Sequence, residues 1–378
     1  MSIFKSFFLA GFESACHINR AGARLNMLQL TQHDRQVFGD YELLRSFHIH
    51  TVRDGTCWPL IERAGRFDFS SLVPMLEAAS VHDIQVMWNV LHYGWPDDVD
   101  VFAASFVDRF ARYCTALARF IHDHTDRIPF YTPINEISFL AWAAGDVGYI
   151  HPFGTERGVE LKRQLIRAAI AGIEAIWQVN PRARIVQVDP VIHVMAPRDR
   201  PDLAERAAAQ RAGQFEAWDM MIGQIEPGLG GQPKYLDIMG LNYYHSNQWE
   251  HPDLRLRWEE NPRDDRWVPL HQLLAEVYDR YQRPLFIAET SHFGVGRGPW
   301  LREIVGEVRQ AIMSGVPVEG ITIYPIIDRP DWDNLDHWHN SGLWDLVPDD
   351  RGILQRVLNE EYAAVLREIL QEDSIPAR

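Results

Sequence analysis

Eight short apolar runs, separated by longer segments with helical spacing of apolar residues, constrain this chain more than any other feature. The runs lie at 8–15, 51–58, 84–92, 130–136, 184–190, 236–244, 284–290 and 320–328. Most carry β-branched or aromatic residues and end in polar ones, as strands do. Between them, 71–80, 106–122 and 161–178 place apolar side chains along one stripe. Phe106, Phe110, Leu117 and Ile121 mark the second of these, and Asn180-Pro181 closes the third. Each strand-and-helix unit has about the 30 or more residues that a βαβ element needs. Eight in succession predict an α/β fold, a (β/α)₈ TIM barrel, organised as one domain over 1–378. A doubly wound sheet is the alternative. It usually carries a glycine-rich turn after its first strand, whereas this strand runs into Glu13-Ser14-Ala15-Cys16-His17.

Composition narrows the partners. With 46% hydrophobic and 24% charged residues, the chain reads as globular with a large core. No run approaches the roughly 20 apolar residues of a membrane helix. Lys5 and the short apolar run around it are too short for a signal peptide and lack a clean cleavage site, so they read as the first buried strand. A net charge of -15 repels phosphate backbones, which argues against nucleic acid. Cys16, Cys57 and Cys114 are odd in number and form no CxxC, so no disulfide framework or zinc site is expected and a reducing, cytoplasmic setting fits. Oligomeric state is not legible.

In a barrel the site forms at the C-terminal ends of the strands. The residues there are Arg53 after strand two, His92 and Tyr93 after three, Asn135 and Glu136 after four, Asn242, Tyr243 and Tyr244 on six, Glu289 on seven, and Asp328, Asp331 and Trp332 beyond eight. Glycoside cleavage needs one carboxyl group as acid and another as nucleophile or base. A nucleophilic carboxylate gains from a cation such as Arg53, while an acid gains from an apolar setting beside a negative partner. Side chains alternate along a strand, so Tyr244 rather than Tyr243 shares a face with Asn242.

These residues resemble glycoside hydrolase family 1 and, more broadly, the clan of retaining (β/α)₈ glycosidases with acid and nucleophile on strands four and seven. The likeness runs through Ser14-Ala15-Cys16-His17, Thr51-Val52-Arg53, Leu91-His92-Tyr93-Gly94-Trp95-Pro96 and Pro133-Ile134-Asn135-Glu136. It continues through Gly148 to Gly154, Asp237 to Tyr244, Phe286-Ile287-Ala288-Glu289, Ile326 to Trp332, and Ser341-Gly342-Leu343-Trp344. The resemblance implies a β-glucosidase-like enzyme with Glu136 as acid/base and Glu289 as nucleophile. It implies a carbohydrate-binding shell of His17, Arg53, His92, Asn135, Asn242, Tyr244, Tyr324, Asp331 and Trp332, and no cofactor.

The pattern departs from the family in that shell. His17 replaces Gln, Ile137 follows the acid in place of Pro, and Thr290-Ser291 follow the nucleophile in place of Asn-Gly. Asp331 replaces Glu, Tyr324 stands where a Trp platform is usual, and the chain is shorter than is usual. The resemblance therefore carries the chemistry and leaves the sugar, linkage and aglycone open. Transglycosylation with the same residues and a non-catalytic sugar-binding barrel are the alternatives. The stretch 328–339, rich in Asp and His, reads either as a metal site or as a polar loop over a sugar pocket; the loop is favoured because this chemistry needs no metal. Of Trp58, Trp88, Trp95, Trp142, Trp332, Trp338 and Trp344, about half are expected in the core, with Trp332 the best sugar contact and Trp177 a packing residue.

Overall fold

In the computed structural model, which describes residues 2–372, the apolar runs become eight parallel strands. They are β1 (Phe8–Gly11), β2 (Thr51–Gly55), β3 (Gln85–Leu91), β4 (Phe130–Ile134), β5 (Arg184–Pro190), β6 (Ile238–Asn242), β7 (Leu285–Thr290) and β8 (Val318–Ile323). Neighbours in sequence pair in space, and β1 also pairs with β8, with Phe8 opposite Ile321, which closes the barrel. The strands end earlier than most of the apolar runs. At the rim the chain loses its pairing partners, so the polar ends peel away to build loops. Trp58, for example, opens a short helix (Trp58–Ile61) with Pro59 in its first turn.

A helix follows each strand. These are α1 (His33–Leu44), α2 (Val73–Val81), α3 (Ser105–His124), α4 (Gly158–Val179), α5 (Glu216–Met221), α6 (Leu270–Tyr281), α7 (Arg297–Met313) and α8 (Glu360–Gln371). Helix α3 buries Phe106, Phe110, Tyr113, Leu117 and Ile121, the stripe its spacing predicts. The larger core lies between strands and helices. A smaller one fills the barrel itself with Leu9, Met87, Phe130, Val186, Ile238 and Phe286 among others, and Phe4 plugs the bottom against the rings of Phe130 and Phe286.

Two glycines mark where this interior is tight. A Cβ on Gly11 would lie 2.2 Å from the Tyr324 ring, and one on Gly240 would lie 2.7 Å from Val188 and 2.8 Å from Ala288. Among the described residues no helix is long and apolar enough to cross a membrane. Cys16, Cys57 and Cys114 are free and buried.

Candidate active site

Above the apolar interior sits a polar layer organised by Arg53. It lies on β2 and is fully buried. Nη1 donates to Glu289 Oε1 and to the Ala288 carbonyl, both at 2.9 Å. Nη2 donates to Asn135 Oδ1 at 2.9 Å and Asn89 Oδ1 at 3.3 Å. Guanidinium can only donate, so the Asn135 oxygen must face it and the Asn135 amino group must face away. That amino group lies 3.3 Å from His92 Nε2 and 3.0 Å from the Tyr93 hydroxyl oxygen. His92 Nε2 therefore accepts, which leaves the proton on Nδ1 for Ser14 Oγ, 3.0 Å away. The Tyr93 hydroxyl, having accepted from Asn135, donates to Glu136 Oε2. One arginine thus orders both carboxylates, one directly and one through two relays.

Glu136 sits where β4 becomes a helical turn. Its φ is 48°, in the left-handed region that costs most residues about 1–2 kcal/mol. The conformation lets its N–H bond the Val188 carbonyl of the neighbouring strand β5 at 3.0 Å while its own carbonyl accepts from Leu140 at 2.8 Å. Such strain persists where the surroundings over-determine it, commonly at functional sites. Asn242 Nδ2 donates to Oε1 at 2.8 Å. Burial first, then the nearby Glu289 charge, pushes the Glu136 carboxyl up to about 8, against the hydrogen bonds from Tyr93 and Asn242, which pull it down. The carboxyl is therefore largely protonated at neutral pH.

Glu289 reaches the same space from β7 through an irregularity. Phe286 and Ala288 belong to the barrel interior, so strict alternation would turn Glu289 outward. The register of β7 against β6 shifts between Ile287 and Glu289, and this brings the carboxylate inward. Oε1 is bound by Arg53 and Oε2 by the Tyr244 hydroxyl at 2.7 Å. Tyr243 points the other way, accepting from Gln248 and stacking on Trp300.

Several polar atoms here are buried without a protein partner. They are both ring nitrogens of His17, the Tyr324 hydroxyl, Asn242 Oδ1 and Trp332 Nε1. Native proteins rarely leave such groups unsatisfied, and a polar ligand is one explanation. Burial, then the neighbouring His92, Arg24 and Arg329, holds His17 neutral, down to about 3. His92 is likewise driven down to about 3, chiefly by burial. Trp332 is half-buried, with its ring edge-to-face with His17 at 4.7 Å.

Asp331 has several partners within its own turn. Its Oδ1 accepts from the N–H groups of Asp333 and Asn334, and its Oδ2 lies 3.0 Å from His339. Asp328 likewise accepts from the N–H groups of Asn340 and Ser341. The turn's carboxylates are engaged in building the turn.

Sequence reasoning missed Tyr93 as a carboxyl partner, although it lies beside His92. It also missed Glu13, which is buried, 3.3 Å from Arg329 and 3.8 Å from His92. Alternation from Leu9 and Gly11 was a usable signal for Glu13. Asp189, at the end of β5, binds Ser138 through N–H and Oγ and is pushed up to about 7 by burial. Of the tryptophans, Trp58, Trp88, Trp95 and Trp344 are buried, Trp338 and Trp177 are half-buried, and Trp142 is 50% exposed. Phe139 links Trp142, Tyr93 and Trp332 into an aromatic wall, with centroid distances of 5.8, 5.3 and 6.4 Å.

No family model and no curated protein matches the chain. Solved structures match closely in shape and distantly in sequence. Beta-glucosidase from Thermotoga maritima in complex with glucoimidazole superposes with a TM-score of 0.77 over 98% of this chain and 99% of that one, at 13% identity. The same enzyme in complex with noeuromycin gives 0.71 over 90% and 87%, at 18% identity. The AHE enzyme from Alicyclobacillus herbarius gives 0.72 over 90% and 87%, also at 18% identity. The chain thus shares the (β/α)₈ barrel fold of these β-glucosidases.

Proposed function

We propose that this chain is a retaining glycoside hydrolase acting on a β-linked glycoside or oligosaccharide. The observation that carries the reading is the contrast in surroundings of two neighbouring carboxyls. Glu289 is held by a buried guanidinium and a tyrosine hydroxyl, and Glu136 is kept protonated by burial. Glu289 attacks the anomeric carbon as Glu136 passes its proton to the leaving oxygen, giving a covalent glycosyl-enzyme. Glu136, now ionised, takes a proton from water, which displaces Glu289 and regenerates both groups.

In this reading sugar hydroxyls satisfy the unpartnered atoms of His17, Asn242, Tyr324 and Trp332. Arg53, His92 and Asn135 act mainly by orienting one another and the carboxylates, since their bonds are made within the protein. The aromatic wall that ends in exposed Trp142 favours binding of a second sugar or aryl group, so transfer to such an acceptor is the second reading. The three buried free thiols accord with a reducing compartment.

A panel of activated aryl β-glycosides tests the proposal. Glu289→Gly should abolish turnover of whichever glycoside is accepted, and azide should restore it by replacing the lost carboxylate. Full activity of that variant without azide would refute the nucleophile. Failure of a fluoro-sugar panel to label Glu289 would favour a sugar-binding barrel without catalysis.

A further inference from the structure

We propose that His245, His292 and Glu259 form a binding site for a divalent transition metal of the zinc class at the rim of the barrel. One ring nitrogen from each histidine and one Glu259 carboxylate oxygen lie within 4.8 Å of one another. His292 Nε2 and Glu259 Oε1 are 3.0 Å apart, and the imidazole centroids are separated by 4.0 Å. Zinc bonds of 2.0–2.2 Å in tetrahedral array place ligand atoms about 3.4 Å apart, so small side-chain adjustments suffice. Two imidazoles, one carboxylate and a solvent position make a set that suits zinc, cobalt or nickel and is poor for magnesium or calcium.

A second observation is independent of this spacing. His245 is 7% exposed, and its Nδ1 is buried without a hydrogen-bond partner. A buried ring nitrogen left without a partner is costly unless something occupies its lone pair. His292 Nδ1 lies 3.0 Å from the Phe293 carbonyl. Nδ1 also accepts from the Phe293 N–H at 2.8 Å, so without metal Nε2 carries the ring proton and donates it to Glu259; a metal bound between them takes the place of that proton. The rings of Trp258, Phe293 and Trp300 pack around the pair and exclude water on that side. Arg255 opposes the site, since its Nη2 donates to Glu259 Oε1 at 2.9 Å, so the metal must displace that bond.

The ligands come from three separate stretches. His245 lies three residues beyond Asn242, His292 three beyond Glu289, and Glu259 in the excursion between β6 and α6. A metal there clamps the excursion onto the ends of the strands that carry Asn242 and Glu289. Its role is structural and owes nothing to the proposed hydrolysis.

Zinc titration of untagged, chelator-stripped protein by calorimetry tests the site, with cobalt absorption as a reporter of tetrahedral geometry. One equivalent of zinc should bind and raise Tm by a few degrees, whereas magnesium should not. Glu259→Gln, whose side chain is 42% exposed and so tolerates change, should weaken binding at least about 10-fold, and His245→Asn with His292→Asn should remove it. Absence of stoichiometric binding to the wild type, or equal binding by folded Glu259→Gln and by the double variant, would overturn the proposal. Neither result bears on glycoside turnover.

Discussion

Arg53 Nη2 lies 2.9 Å from Asn135 Oδ1, and this bond decides which way the Asn135 amide faces. Through that amide the arginine reaches Tyr93 and then Glu136, while its other nitrogen holds Glu289. Arg53→Lys keeps the charge but offers a single ammonium in place of a planar fork. Its kcat/KM on an aryl glycoside should fall about 10²–10³-fold, the loss seen when one preorganised electrostatic contact goes. A lysine variant near wild-type activity would contradict the relay.

The alkaline side of the pH profile should report Glu136. The acid must be protonated for the first step, so kcat/KM should fall as pH rises through about 8. The Tyr93 hydrogen bond favours the ionised form. Tyr93→Phe should therefore move the alkaline limb to higher pH and lower its plateau. A limb that moves downward would show the tyrosine to be protecting the acid form.

Glu136 also carries a cost in stability. Its carboxyl has an ordinary value of 4.5 and titrates in the folded state near 8. Folding therefore favours the protonated form, a contribution complete below pH 4.5 and lost as pH rises through 8. Gln imitates the protonated group at every pH. Glu136→Gln should raise Tm by roughly 2–5 °C at pH 8 and by nearly nothing at pH 4, as measured by calorimetry. The same variant should lose activity most on substrates with poor leaving groups.

Gly11→Ala tests the packing beneath the site. The new methyl would lie 2.2 Å from Tyr324 Cδ2, and Tyr324 is buried against Arg53. Overpacking of this kind costs about 1–3 kcal/mol, so chemical denaturation should show a loss of that size together with reduced activity. Gly39→Ala in the exposed face of α1 meets nothing within 4 Å and should instead gain up to about 1 kcal/mol.

The barrel was legible because each of its strands left a run of apolar residues that no helix period explains. Helices α3 and α4 were equally plain, with broad apolar stripes. Helix α1 was harder to see, because it buries little beyond Val37, Tyr41 and Leu44 among polar neighbours. Within the site, Arg53 and Asn242 follow alternation, so their inward placement was readable. Glu289 does not follow it, since a shift in register aims it inward, and its place at a strand end and the resemblance in motif pointed to it. Tyr93 is a similar case, having a φ of 66° just beyond β3, where alternation no longer applies. His245, Glu259 and His292 escaped notice because only the folded chain brings them together.

The segment from Asp328 to Ser341 closes its hydrogen bonds largely upon itself, through Asp328 with Asn340 and Ser341 and through Asp331 with Asp333, Asn334 and His339. Arg53, Asn135, Glu136 and Glu289 contribute nothing to those bonds. The turn is held to the site chiefly by Trp332 against His17 and Tyr93 and by Arg329 beside Glu13, so a grafted turn that keeps those two side chains offers a route to new sugar preference.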